Sequence, residues 1–239
     1  MGSLVDSSLQ MWYANEVFNL HNHWNAFAEN QRRSEYERIF NGLCQSAGLP
    51  RPNLLWTEQS GGGFMASTWT MRVELDAVRL NPKTETKQWT SAATTLYHET
   101  RHAEQNFLIA VALMAGKLPL PVVNTKAIQS GGDLPTRVNS ALGIPINVVL
   151  QARIAKSRFS DHLIPTVRDW LESKFGRYGR QFDHVMSNSD RSSKMYGAYR
   201  DLPTEADAYR IEKQVKDLLK GLISSRDKDE ALSLLGGFF

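Results

Sequence analysis

Two histidines and a glutamate with the spacing of a metal site lie near the middle of the chain, between Leu96 and Gln105. They form the pattern H-E-x-x-H, so His98 and His102 fall on one face if the segment is helical. Two imidazoles one turn apart can both direct a nitrogen at one ion, at about 2.0 to 2.1 Å for zinc. Glu99 beside them can reach a water molecule on that ion and act as a base. The alternative is a helix that exposes two histidines without any ligand.

The helix that must carry this pattern is predicted from Trp89 to Ala115, and Gly116 and Pro119 end it. Before it, the residues are aromatic, β-branched and partly alternating in polarity, which is typical of strands. We expect two or three short strands, within Asn53 to Glu58, Phe64 to Thr70 and Met71 to Asn81.

One of these segments has a possible functional role. An edge strand can hold a peptide extended through main-chain hydrogen bonds, and Val73 to Leu80 is placed just before the helix. The alternative is that this strand simply packs on the helix, and both can hold at once.

Helices are predicted for most of the remaining chain. Apolar residues recur at helical spacing, and an irregular excursion is expected from Leu118 to Pro145, which contains four prolines. The predicted helical segments are Ser8 to Ala47 as one or two helices, Ile146 to Ser157, Asp161 to Phe175 and Pro203 to Leu222. The predicted fold class is α+β: mostly helical, with a small three-stranded, mainly antiparallel sheet packed on the central helix. We expect one domain over residues 1–239, with N-terminal helices and sheet in 8–115 and a helical second half in 116–239.

With its small sheet leading into an H-E-x-x-H helix, the chain resembles the zincin superfamily of metallopeptidases. The resemblance is best over Asn53 to Ala115. The longer form H-E-x-x-H-x-x-G-x-x-H is missing, so the resemblance implies a downstream glutamate as third ligand. The segment Leu202 to Tyr209 is similar to the glutamate-bearing helix of gluzincin-type enzymes. The resemblance therefore implies that Glu205 completes a Zn²⁺ site with His98 and His102.

Asp207 is the competing carboxylate on that segment. It lies about 200° around a helix from Glu205, so the two cannot both face one metal ion. Glu205 is favoured because it falls in the first helical turn, where the positive helix end stabilises a carboxylate, and because its side chain is longer. The alternative is that Glu205 is a solvated first-turn acid.

The function implied by the resemblance is zinc-dependent hydrolysis of peptide bonds, with endopeptidase action expected and Glu99 as general base. A protein or peptide would be the substrate. The chain also has Gln105 in H-E-x-x-H-x-x-Q, which resembles domains of bacterial secreted toxins and effectors. That resemblance implies a possible cognate inhibitor or immunity protein as partner. The alternative function is a non-catalytic zincin-like domain that binds a protein partner.

Composition excludes several other classes of protein. The 28 Lys and Arg exceed the 25 Asp and Glu by only three, so nucleic-acid binding is not implied. The longest apolar run, Phe107 to Ala115, is too short to cross a bilayer. No cleaved signal peptide is evident at the start, so we expect a soluble protein that is cytoplasmic or exported without one.

Several isolated residues are secondary candidates. His21 and His23 cannot share a helical face, so we expect packing and surface roles for them. His162 and His184 each stand alone, and a buried position is expected for the single cysteine, Cys44. A phenol near the third ligand could stabilise an oxyanion, and the candidates are Tyr196, Tyr199 and Tyr209.

Overall fold

The structure, a computed structural model, describes residues 3–58, 62–121, 132–176 and 194–236, with the side chains of 194–196 and 228–236 outside the description. The elements are, in chain order, α1 (Ser7–Asn22), α2 (Glu29–Ala47), β1 (Asn53–Thr57), β2 (Gly63–Met65), β3 (Thr70–Glu74), α3 (Asp76–Arg79), α4 (Thr86–Met114), α5 (Leu134–Leu142), α6 (Ile146–Ala155), α7 (Ile164–Phe175), α8 (Lys194–Arg200) and α9 (Pro203–Gly236). The predicted α+β, mostly helical fold is confirmed.

Local sequence signals explain where several helices begin and end. The carboxylate of Asp6 accepts a hydrogen bond from the backbone N–H of Ser8 at 2.9 Å, which caps the start of α1. Helix α2 ends at Gly48, whose φ of 68° places it in the left-handed region that favours glycine. The predicted helical stretch from Ser8 to Ala47 is thus confirmed as two helices.

Helix α4 is the centre of the fold. Its 29 residues contact α9, α7, α6, α5 and the sheet, and the residues of its C-terminal half are buried apart from the partly exposed His102. The residues from Phe107 to Met114 are apolar all round, which is the pattern of a helix enclosed by other elements. The polar residues of α4 that carry chemistry therefore lie on a rigid, packed support.

The sheet is mixed, so the prediction of a mainly antiparallel sheet was wrong in this detail. Its strand order is β1-β3-β2, with β1 parallel to β3 and β2 antiparallel to it. The chain crosses from β1 at one edge to β2 at the other, and β3 then enters between them. Because β2 and β3 are joined by a short turn, β3 runs back along β2 and in the direction of β1.

The predicted edge strand from Val73 to Leu80 was also wrong. Strand β3 is the middle strand and ends at Glu74, and the next residues form the short helix α3. Helix α3 begins because the carbonyl of Leu75 accepts hydrogen bonds from the N–H groups of Val78 and Arg79 at 3.0 Å each. Among the described strands, the edge strand on the side of α4 is β2 instead.

The second half of the chain is more regular than predicted. Within the expected excursion from Leu118 to Pro145, helix α5 begins after Asp133, whose side chain caps it, and ends at Gly143 with a φ of 62°. Residues 122–131 of that segment lie outside the described residues. The predicted helices at α6, α7 and α9 are confirmed, with α9 extending to Gly236. Among the described residues, no helix combines the length and apolar character needed to cross a membrane.

Candidate metal centre

Three side chains from two helices that are far apart in sequence lie close together. Nε2 of His98 lies 3.2 Å from Nε2 of His102, and both belong to α4. Glu205, in the first turn of α9, places Oε1 at 3.3 Å from Nε2 of His102 and Oε2 at 3.8 Å from Nε2 of His98. The three side chains are only 5% to 11% exposed. This buried group of two imidazoles and a carboxylate could hold a metal ion.

The spacing of these atoms fits one small cation. Two ligand atoms that are each about 2.05 Å from a tetrahedral zinc ion lie about 3.3 Å apart. The separations of 3.2, 3.3 and 3.8 Å are close to that value. The donor set, nitrogen and carboxylate oxygen, is also one that zinc accepts. The separations and the donor set of these three residues therefore fit a small metal ion.

Hydrogen bonds at the other ring nitrogens determine which atoms of the imidazoles face the centre. Nδ1 of His98 lies 3.0 Å from the carboxylate oxygen Oε2 of Glu212, and Nδ1 of His102 lies 2.9 Å from Oε1 of Gln105. The amide nitrogen of Gln105 donates to the carbonyl of Thr204 at 2.9 Å, so its oxygen must be the atom at His102. Both Nδ1 atoms therefore donate, so each ring in its neutral form presents a lone pair at Nε2.

The centre thus consists of three electron-pair donors, which a positive charge between them would stabilise. Two imidazole lone pairs and a carboxylate repel one another unless a proton or a metal ion lies between them. Burial disfavours the charged form of His102, but the adjacent Glu205 outweighs burial and raises the pKa of His102. Burial also opposes ionisation of Glu205, yet His102 and a hydrogen bond from Tyr199 lower the pKa of Glu205. The electrostatics of the site therefore favour a bound cation.

Asp207 faces away from the centre, as the helical geometry predicted. Its Oδ2 accepts from Nε of Arg101 at 2.7 Å and from Nε2 of Gln105 at 3.0 Å. Arg101 also pairs with Glu104, which is 1% exposed. The hydrogen bonds of Asp207 to Arg101 and Gln105 therefore hold α4 against α9, while Glu205 faces the histidines.

Glu99 lies between the centre and the sheet. Its Oε2 accepts a hydrogen bond of 2.8 Å from the backbone N–H of Phe64 in β2, so this N–H of the edge strand is directed at the glutamate. The charge of Glu99 also acts on His102, which places the carboxylate close to the centre. Unlike the buried His98, Glu99 is partly exposed. A carboxylate in this position can exchange a proton with a molecule bound at the centre.

A lysine from a third helix lies near His102. Nζ of Lys174, on α7, donates to Oδ1 of Asn106 at 2.9 Å, and Nδ2 of Asn106 donates to the carbonyl of His102 at 2.6 Å. Burial lowers the pKa of Lys174 to about 8, while Glu205 and Glu99 act in the opposite direction. The ammonium group is therefore mostly charged at neutral pH.

The three tyrosine candidates have different positions. The Tyr199 hydroxyl donates to Glu205, and burial raises the pKa of Tyr199. The ring of Tyr209 packs edge-on against the ring of His98, with centroids 4.6 Å apart. The side chain of Tyr196 lies outside the described residues. The structure thus places Tyr199 and Tyr209 at the centre, each in contact with one of the three grouped residues.

The isolated histidines and the cysteine lie elsewhere. His21 is 1% exposed and packs edge-on against Trp89 at 5.1 Å between centroids, whereas His23 is an exposed residue at the end of α1. His162 is exposed and contacts Ser160, and His184 lies outside the described residues. Cys44 is buried, as predicted.

Reasoning from the sequence did not find Glu212, Lys174 or the role of Gln105. For Glu212 a signal existed, because residues seven apart lie on the same face of a helix and Glu212 follows Glu205 by seven. Gln105 follows His102 by three, which also places the two side chains together. Lys174 reaches the site from a separate helix, and nothing in its local sequence indicates this.

Comparison with known proteins gives no relative from which a role could be transferred. No family model, no curated protein and no solved structure matches the chain.

Proposed function

We propose that the chain is a zinc-dependent peptidase that resembles the gluzincin-type zincins. His98, His102 and Glu205 are the proposed ligands of Zn²⁺, and Glu99 is the proposed general base. One observation carries the proposal: two imidazole lone pairs and a carboxylate, from helices about a hundred residues apart in sequence, converge with separations of 3.2 to 3.8 Å. Glu99 adjoins them with the spacing that the H-E-x-x-H pattern predicts.

The chemistry divides between the metal and the chain. When bound, zinc would polarise the scissile carbonyl and lower the pKa of a coordinated water. Glu99 takes a proton from the attacking water and returns it to the leaving amine. The N–H of Phe64 orients the Glu99 carboxylate for this transfer, at 2.8 Å. Glu212 and Gln105 hold the two imidazoles with Nε2 inward.

The test compares metal content with peptide cleavage in matched variants. Glu99→Gln should retain one zinc per chain by elemental analysis and lose cleavage of a denatured protein substrate by at least about 100-fold. His98→Ala should lose the zinc. Wild-type protein that binds iron rather than zinc, or a Glu99→Gln variant with undiminished cleavage, would contradict the proposal. Stoichiometric zinc without cleavage of any substrate would instead favour the non-catalytic binding domain.

A further inference from the structure

The ammonium group of Lys174 has unused hydrogen-bonding capacity beside the candidate centre. A lysine ammonium has three N–H donors, and among the described residues the hydrogen bond of Lys174 is the one to the neutral amide oxygen of Asn106. No carboxylate of the described residues lies within ion-pair distance of it. Two N–H groups of this partly buried cation therefore have no acceptor among the described residues.

Arg101 is a nearby cationic side chain with a structural role, and its pairing can be compared with that of Lys174. Arg101 is 3% exposed and is paired with two carboxylates, those of Glu104 and Asp207. A buried charge is costly unless it is paired, and Arg101 follows this rule. Lys174 does not, although Glu205 and Glu99 act on it through space. Within the part of the chain that the structure describes, Lys174 thus differs from Arg101 in having no carboxylate partner, which leaves it open to the carboxylate of a bound molecule.

The position of Lys174 limits where such a partner can be. Asn106 follows His102 by one helical turn on α4, which is an advance of about 5.4 to 6 Å along the axis. The neighbouring Ser173 contacts Thr204, the residue before Glu205, with 3.1 Å between hydroxyl oxygens. Asn106, which accepts the hydrogen bond of the ammonium, is thus about one turn of helix from the proposed ligand His102. In an extended peptide, that distance corresponds to one or two residues, at about 3.8 Å between successive Cα atoms.

From this geometry we propose that Lys174 binds a carboxylate of the substrate, one or two residues from the scissile bond. The inference rests on the proposed peptidase function and adds a substrate class to it. The carboxylate is either the free C-terminus of a peptide or the side chain of an Asp or Glu residue. The first source makes the protein act at chain ends, and the second makes it cut beside acidic residues.

The test uses binding, so it does not depend on turnover. Zinc-loaded Glu99→Gln protein is immobilised and exposed to two random hexapeptide libraries, one with free C-terminal carboxylates and one with C-terminal amides. Retained peptides are sequenced by mass spectrometry. The same selection is repeated in the Lys174→Met background, with Lys156→Met as the matched control, because Lys156 is an exposed lysine on the surface.

The expected result is a preference for carboxylate-bearing peptides of about 10- to 100-fold, the range for loss of a hydrogen bond to a charged group. Enrichment of free acids over amides identifies the C-terminus, and enrichment of Asp and Glu within amides identifies a side chain. Lys174→Met should abolish the preference, and Lys156→Met should keep it.

Three outcomes overturn the inference. The first is equal retention of acids and amides with no enrichment of Asp or Glu, and the second is that no peptide is retained at all. The third is that Lys174→Met reduces the retention of all peptides equally, which would mean that Lys174 only supports Asn106. If the wild-type protein cleaves peptides without any such preference, the peptidase proposal stands and the inference alone fails. If peptides with carboxylates are selected but no peptide is cleaved, the role of Lys174 in binding stands and the peptidase proposal fails.

Discussion

Nδ1 of His98 lies 3.0 Å from the carboxylate of Glu212, a residue 114 positions later in the chain. The two residues lie on α4 and α9, and Thr94 on α4 lies 3.4 Å from the same glutamate. The orientation of the imidazole is therefore set by a helix from the other half of the protein. A carboxylate in this position also makes the imidazole a stronger donor toward a metal.

Glu212→Ala should consequently weaken zinc binding by about 10- to 100-fold, the usual effect of removing such a partner. Glu212→Gln should have a smaller effect, because an amide oxygen can still accept from Nδ1. Competition with a coloured zinc chelator measures the affinity. Asp217→Asn is a suitable control, since Asp217 is an exposed acid on the same helix. An unchanged affinity for Glu212→Ala would show that His98 is oriented by packing alone.

Asp207 and Glu205 should respond in opposite ways to neutralisation. Asp207→Asn removes a charged partner of the buried Arg101 and should lower the free energy of unfolding by about 1 to 3 kcal/mol, while Glu104 limits the loss. Its zinc content should stay unchanged. Glu205→Ala should instead lose zinc. Urea unfolding and elemental analysis of both variants check the prediction, and loss of zinc by Asp207→Asn alone would reverse the two assignments.

Zinc should stabilise the folded protein by mass action. A ligand that binds only the folded state at 100 times its Kd adds about 2.7 kcal/mol. For a chain of 239 residues, this corresponds to a rise in Tm of roughly 5 to 10 °C. Calorimetry with zinc and with a chelator measures the shift. The shift should vanish in His98→Ala, and a variant that keeps it would show that zinc binds elsewhere.

His21 should make the protein less stable in mild acid. Burial, aided by the nearby Arg226, lowers the pKa of His21 in the folded state below its ordinary value of 6.5. As the pH falls below 6.5, the unfolded chain takes up a proton that the folded chain does not, so stability is lost. Urea unfolding between pH 7.5 and 5 should therefore show a steeper loss for wild-type protein than for His21→Gln. Parallel curves would contradict the prediction.

The sequence predicts those parts of the fold that depend on local signals. Periodicity, Asp6 before α1 and Gly48 after α2 define helices from neighbouring residues alone. Strand pairing depends on distant residues, so the mixed sheet could not be read from alternation. The end of β3 was missed for a related reason: Ala77 and Val78 are adjacent and both buried, which suits one turn of helix as well as a buried strand.

The candidate site shows the same division. The H-E-x-x-H spacing places two histidines together because both belong to one helix. The pairing of Glu205 with them required the resemblance to a known family, and the geometry of a helix then separated Glu205 from Asp207. Lys174 could not be predicted, because its contact with Asn106 joins two helices and the two residues are 68 positions apart in the sequence.

The distance in sequence between Glu205 and the two histidines has a consequence during synthesis. A growing chain that has not yet reached α9 contains both imidazoles but lacks the carboxylate that completes the cluster. Such a chain, or a product cut short before this residue, has no assembled cation site. If the protein is a hydrolase, the nascent chain is therefore inactive until α9 has been synthesised and has packed against α4.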